Sequence, residues 1–297
     1  MPPRLIEAAL AETAATVDQA LDRLLPTAAG PERRVVEAMR YAVLGPGKRL
    51  RPFLVLTGAR LFNVAEEGAL RVAAAVEMLH CYSLVHDDLP AMDDSELRRG
   101  RPTVHRKYDE ATAILAGDAL LTLAFEVLAA PDTHSEPQVR CDLVVALARA
   151  AGAAGMVGGQ MIDLEAEHAA LDIGAITRLQ RLKTGEIIAF ACAAGAIMGH
   201  APEPARQALH AFAHDLGLAF QIADDLLDAE GSAAATGKPV GRDKAAGKAT
   251  FVSILGADRA RAQAEMLARQ AMQHLDFFED KADLLRAVAG FVVSRRH

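Results

Sequence analysis

A single all-α domain is the fold this sequence predicts, on three observations. Apolar residues recur at helical spacing almost throughout the 297 residues. Alanine, the best helix former, is frequent, whereas aromatics make up 4% and tryptophan is absent. The β-branched and aromatic runs that strands favour are scarce. No linker, internal repeat or low-complexity stretch divides the chain, so residues 1–297 read as one domain. A hydrophobic content of 52% supplies a sizeable core.

The expected elements follow in order. A first helix runs from about Arg4 to Leu25 and ends at Pro26. A second begins near Pro31 and stops at Gly45-Pro46-Gly47. A long helix from about Glu66 runs into His86-Asp87-Asp88, where Pro90 ends or bends it. Another covers Ala111 to Ala129, closed by the polar loop Pro131 to Pro137. Two more long helices are expected, from about Gln138 to Glu167 and from Ala175 to Gly199. A further one spans Pro204 to Asp228. The stretch Ala229 to Gly247 is rich in Gly, Lys and Asp and long enough to be a functional loop. The tail, Ala257 to Val293, returns to amphipathic helix.

Charge and cysteine usage narrow the function classes. A formal charge of −7 and a pI near 5.8 argue against nucleic acid or an anionic membrane as general partner. They leave room for an anionic small ligand in a local basic pocket. Cys81, Cys141 and Cys192 show no metal or disulfide spacing, which fits reduced thiols in the cytoplasm. The longest apolar run, Ile187 to Gly199, is 13 residues, against the ~20 that cross a bilayer, so no membrane span is expected. Glu7, Glu12 and Asp18 make the N-terminus unlike a targeting segment.

Two acidic clusters carry the chemistry. Asp224, Asp225 and Asp228 share neighbouring parts of one helical face, with Gln221 one turn earlier. Like charges so placed repel, and a hard divalent cation would relieve them. Alone, this cluster reads equally well as a solvated helix end. Asp87, Asp88, Asp93 and Asp94 form a second cluster at the end of another apolar helix. Asp87 and Asp93 are six residues apart, too far for one regular face, and Pro90 suggests a bulge that returns Asp93 towards Asp87. A cleft holding several Mg²⁺ ions needs such opposed clusters, and magnesium takes one or two carboxylates plus water and substrate phosphate. A calcium loop lacks support, because the alternating ligands, central Gly and terminal Glu are missing.

Cations that would hold a diphosphate lie nearby in sequence. Arg98-Arg99-Gly100-Arg101 follows the Asp87 to Asp94 cluster, and paired guanidinium groups suit phosphate oxygens. Gly47-Lys48-Arg49-Leu50-Arg51-Pro52 is a second basic knot. Lys183-Thr184-Gly185 interrupts an apolar helix, His80 precedes Asp87 by two turns, and Lys238, Lys244 and Lys248 stud the late loop. Singly, each is ordinary surface charge; jointly with the acids they describe a diphosphate site.

Tyr82 to Asp94 with Arg98-Arg99-Gly100 resembles the first aspartate-rich motif of the trans-prenyltransferases, the polyprenyl synthetase family. Gln221 to Asp228 resembles their second. Gly47 to Pro52, Leu115-Ala116-Gly117-Asp118-Ala119-Leu120, Gly159-Gln160 with Asp163, Lys183-Thr184-Gly185, and Gly237-Lys238 to Gly247-Lys248 match in order, so the resemblance covers nearly the whole chain. It departs at Gly45-Pro46-Gly47, where relatives usually have two adjacent glycines. The resemblance implies a large helical bundle of the isoprenoid synthase type with a central cleft, acting as a homodimer. It implies condensation of isopentenyl diphosphate with dimethylallyl or geranyl diphosphate. Asp87, Asp88, Asp93, Asp224, Asp225 and Asp228 would hold Mg²⁺ on the allylic diphosphate. Arg98, Lys183, Thr184, Gln221 and Lys238 would contact that diphosphate. Lys48, Arg51, His80 and Arg99 would bind isopentenyl diphosphate. Asp118, Gln160 and Asp163 would serve as supporting polar groups.

Product length rests on Tyr82 and Ser83. Tyr82 precedes Asp87 by five residues, about 7.5 Å along a helix, and in the family an aromatic there accompanies a farnesyl product. Helical geometry places Tyr82 about 140° round the axis from Asp87, so core packing competes as an explanation, while small Ser83 is nearly in line. Farnesyl diphosphate is the expected product and geranylgeranyl diphosphate the alternative. A terpene cyclase would not need Lys48, Arg51 and Arg99, and a non-catalytic regulatory subunit would have lost carboxylates that are intact here.

Overall fold

Helix α4 (Glu66–Asp87) is the axis around which the chain is assembled. Ala73, Ala74, Ala75 and Val76 are successive and all buried, so this helix is enclosed on every side. The lack of a polar face is what a central helix requires. The structure is a computed structural model and describes residues 3–166, 171–230 and 250–294.

Before α4 come α1 (Pro3–Leu24), α2 (Arg33–Val43) and α3 (Leu50–Arg60). After it, the strands β1 (Leu97–Arg98) and β2 (Arg101–Pro102) pair antiparallel in a small hairpin, Arg98 opposite Arg101. Then follow α5 (Val104–Lys107), α6 (Glu110–Ala129), α7 (Pro137–Ala151), α8 (Met156–Ala166) and α9 (Ile173–Gln180). A π-helical turn at Arg181–Gly185 leads into α10 (Glu186–Met198). The chain continues with α11 (Glu203–Glu230), α12 (Phe251–Leu255), α13 (Ala257–His274), a 3₁₀ stretch at Asp276–Ala282 and α14 (Asp283–Ser294). The fold is all-α, as expected, with α4 packed between α3 and α6 and with α10 against α3, α7 and α11.

Two expected helices are divided. The one anticipated from Gln138 to Glu167 breaks between α7 and α8, around Gly152 and Gly155. A Cβ at Gly155 would fall 2.1 Å from the Ala150 carbonyl oxygen, so the chain folds back too tightly there for a side chain. The helix anticipated from Ala175 to Gly199 instead carries the π turn, and that turn holds Lys183 and Thr184. π turns of this kind widen a helix where a side chain must be re-aimed, often at functional sites.

The length criterion for membrane spans also needs correcting. Among the described residues, three stretches, Glu66–Asp87, Glu110–Ala129 and Pro137–Ala166, are long and apolar enough by length and composition alone to cross a bilayer. Isolated polar residues interrupt each of them, so none is a continuous apolar run. In α4, 72% of the candidate window is buried inside the bundle, so its apolarity serves the core.

Candidate active site

The end of α4 builds the first acidic wall. The Leu89 N–H donates to the His86 carbonyl and the chain turns at Pro90. The Asp93 N–H then donates to the Asp87 carbonyl at 2.9 Å. The six-residue spacing is thus closed by a loop, as Pro90 suggested.

The acids of the two clusters do not share one environment. Asp88 is 3% exposed, and its carboxylate accepts three hydrogen bonds from Arg98, at 2.7 to 2.9 Å. Asp225 is 4% exposed and accepts from Gln221 Nε2 at 3.1 Å and from the Phe251 N–H at 2.9 Å. Asp87, Asp93, Asp224 and Asp228 are only partly buried. Consecutive residues lie 100° apart on a helix. One member of each Asp-Asp pair therefore ties the wall to the frame and the other reaches outward. Sequence alone treated all six as equivalent ligands.

One cavity of about 450 Å³ gathers part of the predicted set, whereas Arg98 and Arg99 line a separate pocket beside Asp88. Asp87, Lys183 and Thr184 line the first of these, as do Arg51 and His80, Tyr82 and Ser83. Met156, Val157, Met161, Leu164 and Ile187 supply an apolar wall that sequence reading did not single out. Those residues follow ordinary helical periodicity, so nothing local distinguishes them from core. The second acidic cluster reaches this cavity through a side-chain chain: Thr184 donates to Gln221 at 3.3 Å, and Gln221 donates to Asp225. Burial lowers the pKa of Arg51 from its ordinary value, and the nearby Glu77 and Asp224 charges oppose that shift.

Burial is the main force on Asp87, and the neighbouring Asp93 and Asp88 charges add to it. Its carboxyl is pushed up to about 6, despite the opposing pull of Lys183 and Arg98. Lys183 Nζ is held by Asp163 at 2.6 Å. Gly159 makes room for that arrangement, since a Cβ there would sit 2.3 Å from the Lys183 backbone nitrogen. Among the described residues, no three His, Cys, Asp or Glu side chains converge as a ready-made metal cage. The donor set is carboxylate oxygen around a carboxyl that resists ionising alone, and this fits a hard divalent cation completed by water and phosphate.

The basic side of the cavity is built on Arg49. Its side chain is fully buried in a left-handed backbone turn (φ 46°). It donates to Glu77 at 2.7 Å, Asp18 at 2.8 Å, and the Val43 and Gly45 carbonyls at 2.8 Å each. This anchor sets the loop from which Lys48, exposed, and Arg51, half-buried, extend. Arg99 Nη1 donates to the Pro46 carbonyl at 2.7 Å and so joins the β1–β2 hairpin to the same loop. Arg51 Nη1 meets His80 Nε2 at 3.3 Å. A guanidinium only donates, so that nitrogen accepts and His80 is neutral. Burial and the charges of Arg51, Arg99, Arg98 and Arg49 all hold its imidazole well below the usual range. Arg51 Nε is buried without a hydrogen-bond partner, as a group awaiting an anion would be. Lys238, with Lys244 and Lys248, lies outside the described residues.

Comparison with known proteins supplies the remaining observation. The family model described as "Polyprenyl synthetase" matches residues 32–289. The farnesyl diphosphate synthase of Escherichia coli (strain K12) is 43% identical over 99% of this chain and 98% of its own. Geranylgeranyl pyrophosphate synthase 4 of Arabidopsis thaliana is 40% identical over 96% of this chain and 76% of its own. The apo crystal structure of an FPP/GFPP synthase from Zymomonas mobilis superposes with a TM-score of 0.90 at 49% identity, covering 99% of this chain and 100% of that one.

Proposed function

Because this chain belongs to the polyprenyl synthetase family, we propose that its cavity condenses isopentenyl diphosphate with allylic diphosphates and releases chiefly farnesyl diphosphate. One observation carries the reading. A single cavity is lined by Asp87, by Arg51 with His80, by Lys183 with Thr184, and by an apolar flank that includes Tyr82. Asp87 and Asp93, with Asp224 and Asp228 across the cleft, would hold Mg²⁺. Asp88 and Asp225 would act from behind, orienting Arg98 and Gln221. Bound magnesium supplies neutralisation of the allylic diphosphate as it departs.

The chain's own residues do the rest. Arg98, Lys183 and Thr184 bind the allylic diphosphate and keep positive charge where its negative charge grows, so that the C–O bond ionises. Lys48, Arg51 and Arg99 fix isopentenyl diphosphate with neutral His80 as a hydrogen-bonding neighbour. Its double bond then attacks the allylic carbon within one bound pair. The buried Met156 and Ile187 flank excludes water that would quench the cation. No carboxylate or imidazole is assigned the final proton, which departs to the released diphosphate.

The test is incubation of purified protein with Mg²⁺, isopentenyl diphosphate and dimethylallyl or geranyl diphosphate. Farnesyl diphosphate is the expected main product, and none should form with chelator present. Relatives at similar identity carry farnesyl and geranylgeranyl names, so family membership alone leaves length open. Tyr82, 8% exposed and on the cavity wall, supports the shorter product. Tyr82→Ala is expected to shift output towards longer chains, and an unchanged distribution would remove Tyr82 as the floor.

A homodimer is proposed with this activity. Ile114 and Leu115 on α6 and Val145 on α7 are exposed apolar residues outside the cavity that a second copy would cover. Light scattering should return twice the chain mass, and a monomer at micromolar concentration would contradict it. Cytoplasmic residence is the matching compartment for a chain with three free cysteines.

A further inference from the structure

Within the motif Leu115-Ala116-Gly117-Asp118-Ala119-Leu120, Gly117 has no role assigned above, yet it touches the cavity wall through His86. A Cβ at Gly117 would lie 2.1 Å from His86 Nε2, 2.4 Å from Cδ2 and 3.0 Å from Cε1. The imidazole therefore fills the space that any side chain at 117 would occupy. It is fixed there: His86 Nε2 is 3.1 Å from the Ile114 carbonyl, which only accepts, so the ring donates. Asp118 Oδ1 is 3.9 Å from the same nitrogen. On its other side, His86 meets Tyr82 edge to face, with ring centroids 5.2 Å apart and planes at 84°. His86 is four residues after Tyr82, hence stacked over it on one helical face. Both side chains line the cavity.

We propose that His86, seated in the α6 notch that Gly117 leaves open, is a specificity-determining residue for product length. The inference rests on the chain-elongating reading above and adds to it. The α6 backbone, the imidazole and the Tyr82 ring form a three-layer wall, so the depth to which the imidazole sinks sets where the phenol ring stands. Filling the notch pushes the imidazole off α6 and towards the cavity, which is the open space beside it. Removing the imidazole lets Tyr82 settle towards α6 and deepens the chain pocket. Adding or removing a few atoms on an apolar substrate wall changes discrimination between chains differing in length.

The experiment compares product distributions of wild type, Gly117→Ala, His86→Ala and the double variant, with geranyl and then farnesyl diphosphate as starter. Gly117→Ala should lower the ratio of the longest to the next shorter product by roughly tenfold. His86→Ala should raise that ratio, and the double variant should match His86→Ala, because no ring remains to be displaced. Unchanged ratios in both single variants, or a double variant that still follows Gly117→Ala, would overturn the proposal. Should Gly117→Ala lose its helical circular dichroism, His86→Ala decides alone, and an unchanged ratio there overturns it. A wild type making no prenyl diphosphate at all would instead remove the underlying reading.

Discussion

Asp87→Asn is expected to lower turnover by a factor on the order of 10² to 10³ or more while leaving the helical fold intact. The variant keeps the size of the side chain and its backbone bond to Asp93, but removes a full charge from the acidic wall. Stability should move the other way. The Asp87 carboxyl is raised to about 6 in the folded chain, against an ordinary value of 3.8. A raised acid favours the folded state below its unfolded pKa, and that advantage is lost as pH rises through the folded value. Above pH about 6 the metal-free wild type therefore carries an ionised, crowded carboxylate. At pH 8 Asp87→Asn should be the more stable by about 1–3 kcal/mol, with the gain vanishing towards pH 4. Urea titrations at both pH values, with chelator present, read this directly. Wild-type turnover in the variant would remove Asp87 from the reaction, and equal stability at pH 8 would show that its burial carries no electrostatic cost.

Glu77→Leu should be the most destabilising single change near the site, at about 3–5 kcal/mol. Glu77 is 2% exposed and is the buried carboxylate partner of Arg49, whose side chain has no exposure at all. Removing one member leaves a guanidinium enclosed by protein with part of its charge unanswered. Arg49 would keep its bonds to Asp18 and two carbonyls, so the chain should still fold. The denaturation midpoint is expected to fall, and the Michaelis constant for isopentenyl diphosphate to rise more than that for the allylic partner. That asymmetry arises because Arg49 holds the loop between Lys48 and Arg51. Adding Arg49→Met should recover stability, since an apolar pair often replaces a buried ion pair without loss, but not the affinity. Equal changes in both Michaelis constants would refute the link between this anchor and the isopentenyl side.

The late-loop lysines and the helix ends mark how far reading by spacing extends. Helical periodicity located α1, α4, α6 and α11 to within a few residues, because a face buried against neighbours imprints its period on the sequence. It did not foresee the break between α7 and α8. Both sides of Gly152 to Gly155 are apolar at helical spacing, and the fold-back there is a local turn against the Ala150 carbonyl that apolar spacing does not register. The π turn at Lys183-Thr184-Gly185 was visible only as a polar interruption.

By itself, the order of residues displayed two aspartate clusters with guanidinium and ammonium companions, and their resemblance to the trans-prenyltransferase motifs implied the class of chemistry. Those are local facts, since charge type and spacing along a helix need no partner to be read. Only the tertiary structure decided which acid of each pair turns to the frame, that Arg49 supports where Arg51 presents, and that His86 lies in the gap at Gly117. Each of those outcomes depends on contact between segments that are distant in sequence, such as Glu77 with Arg49 or Phe251 with Asp225. A side chain's partner is fixed by how helices cross, and no single helix's sequence contains that crossing.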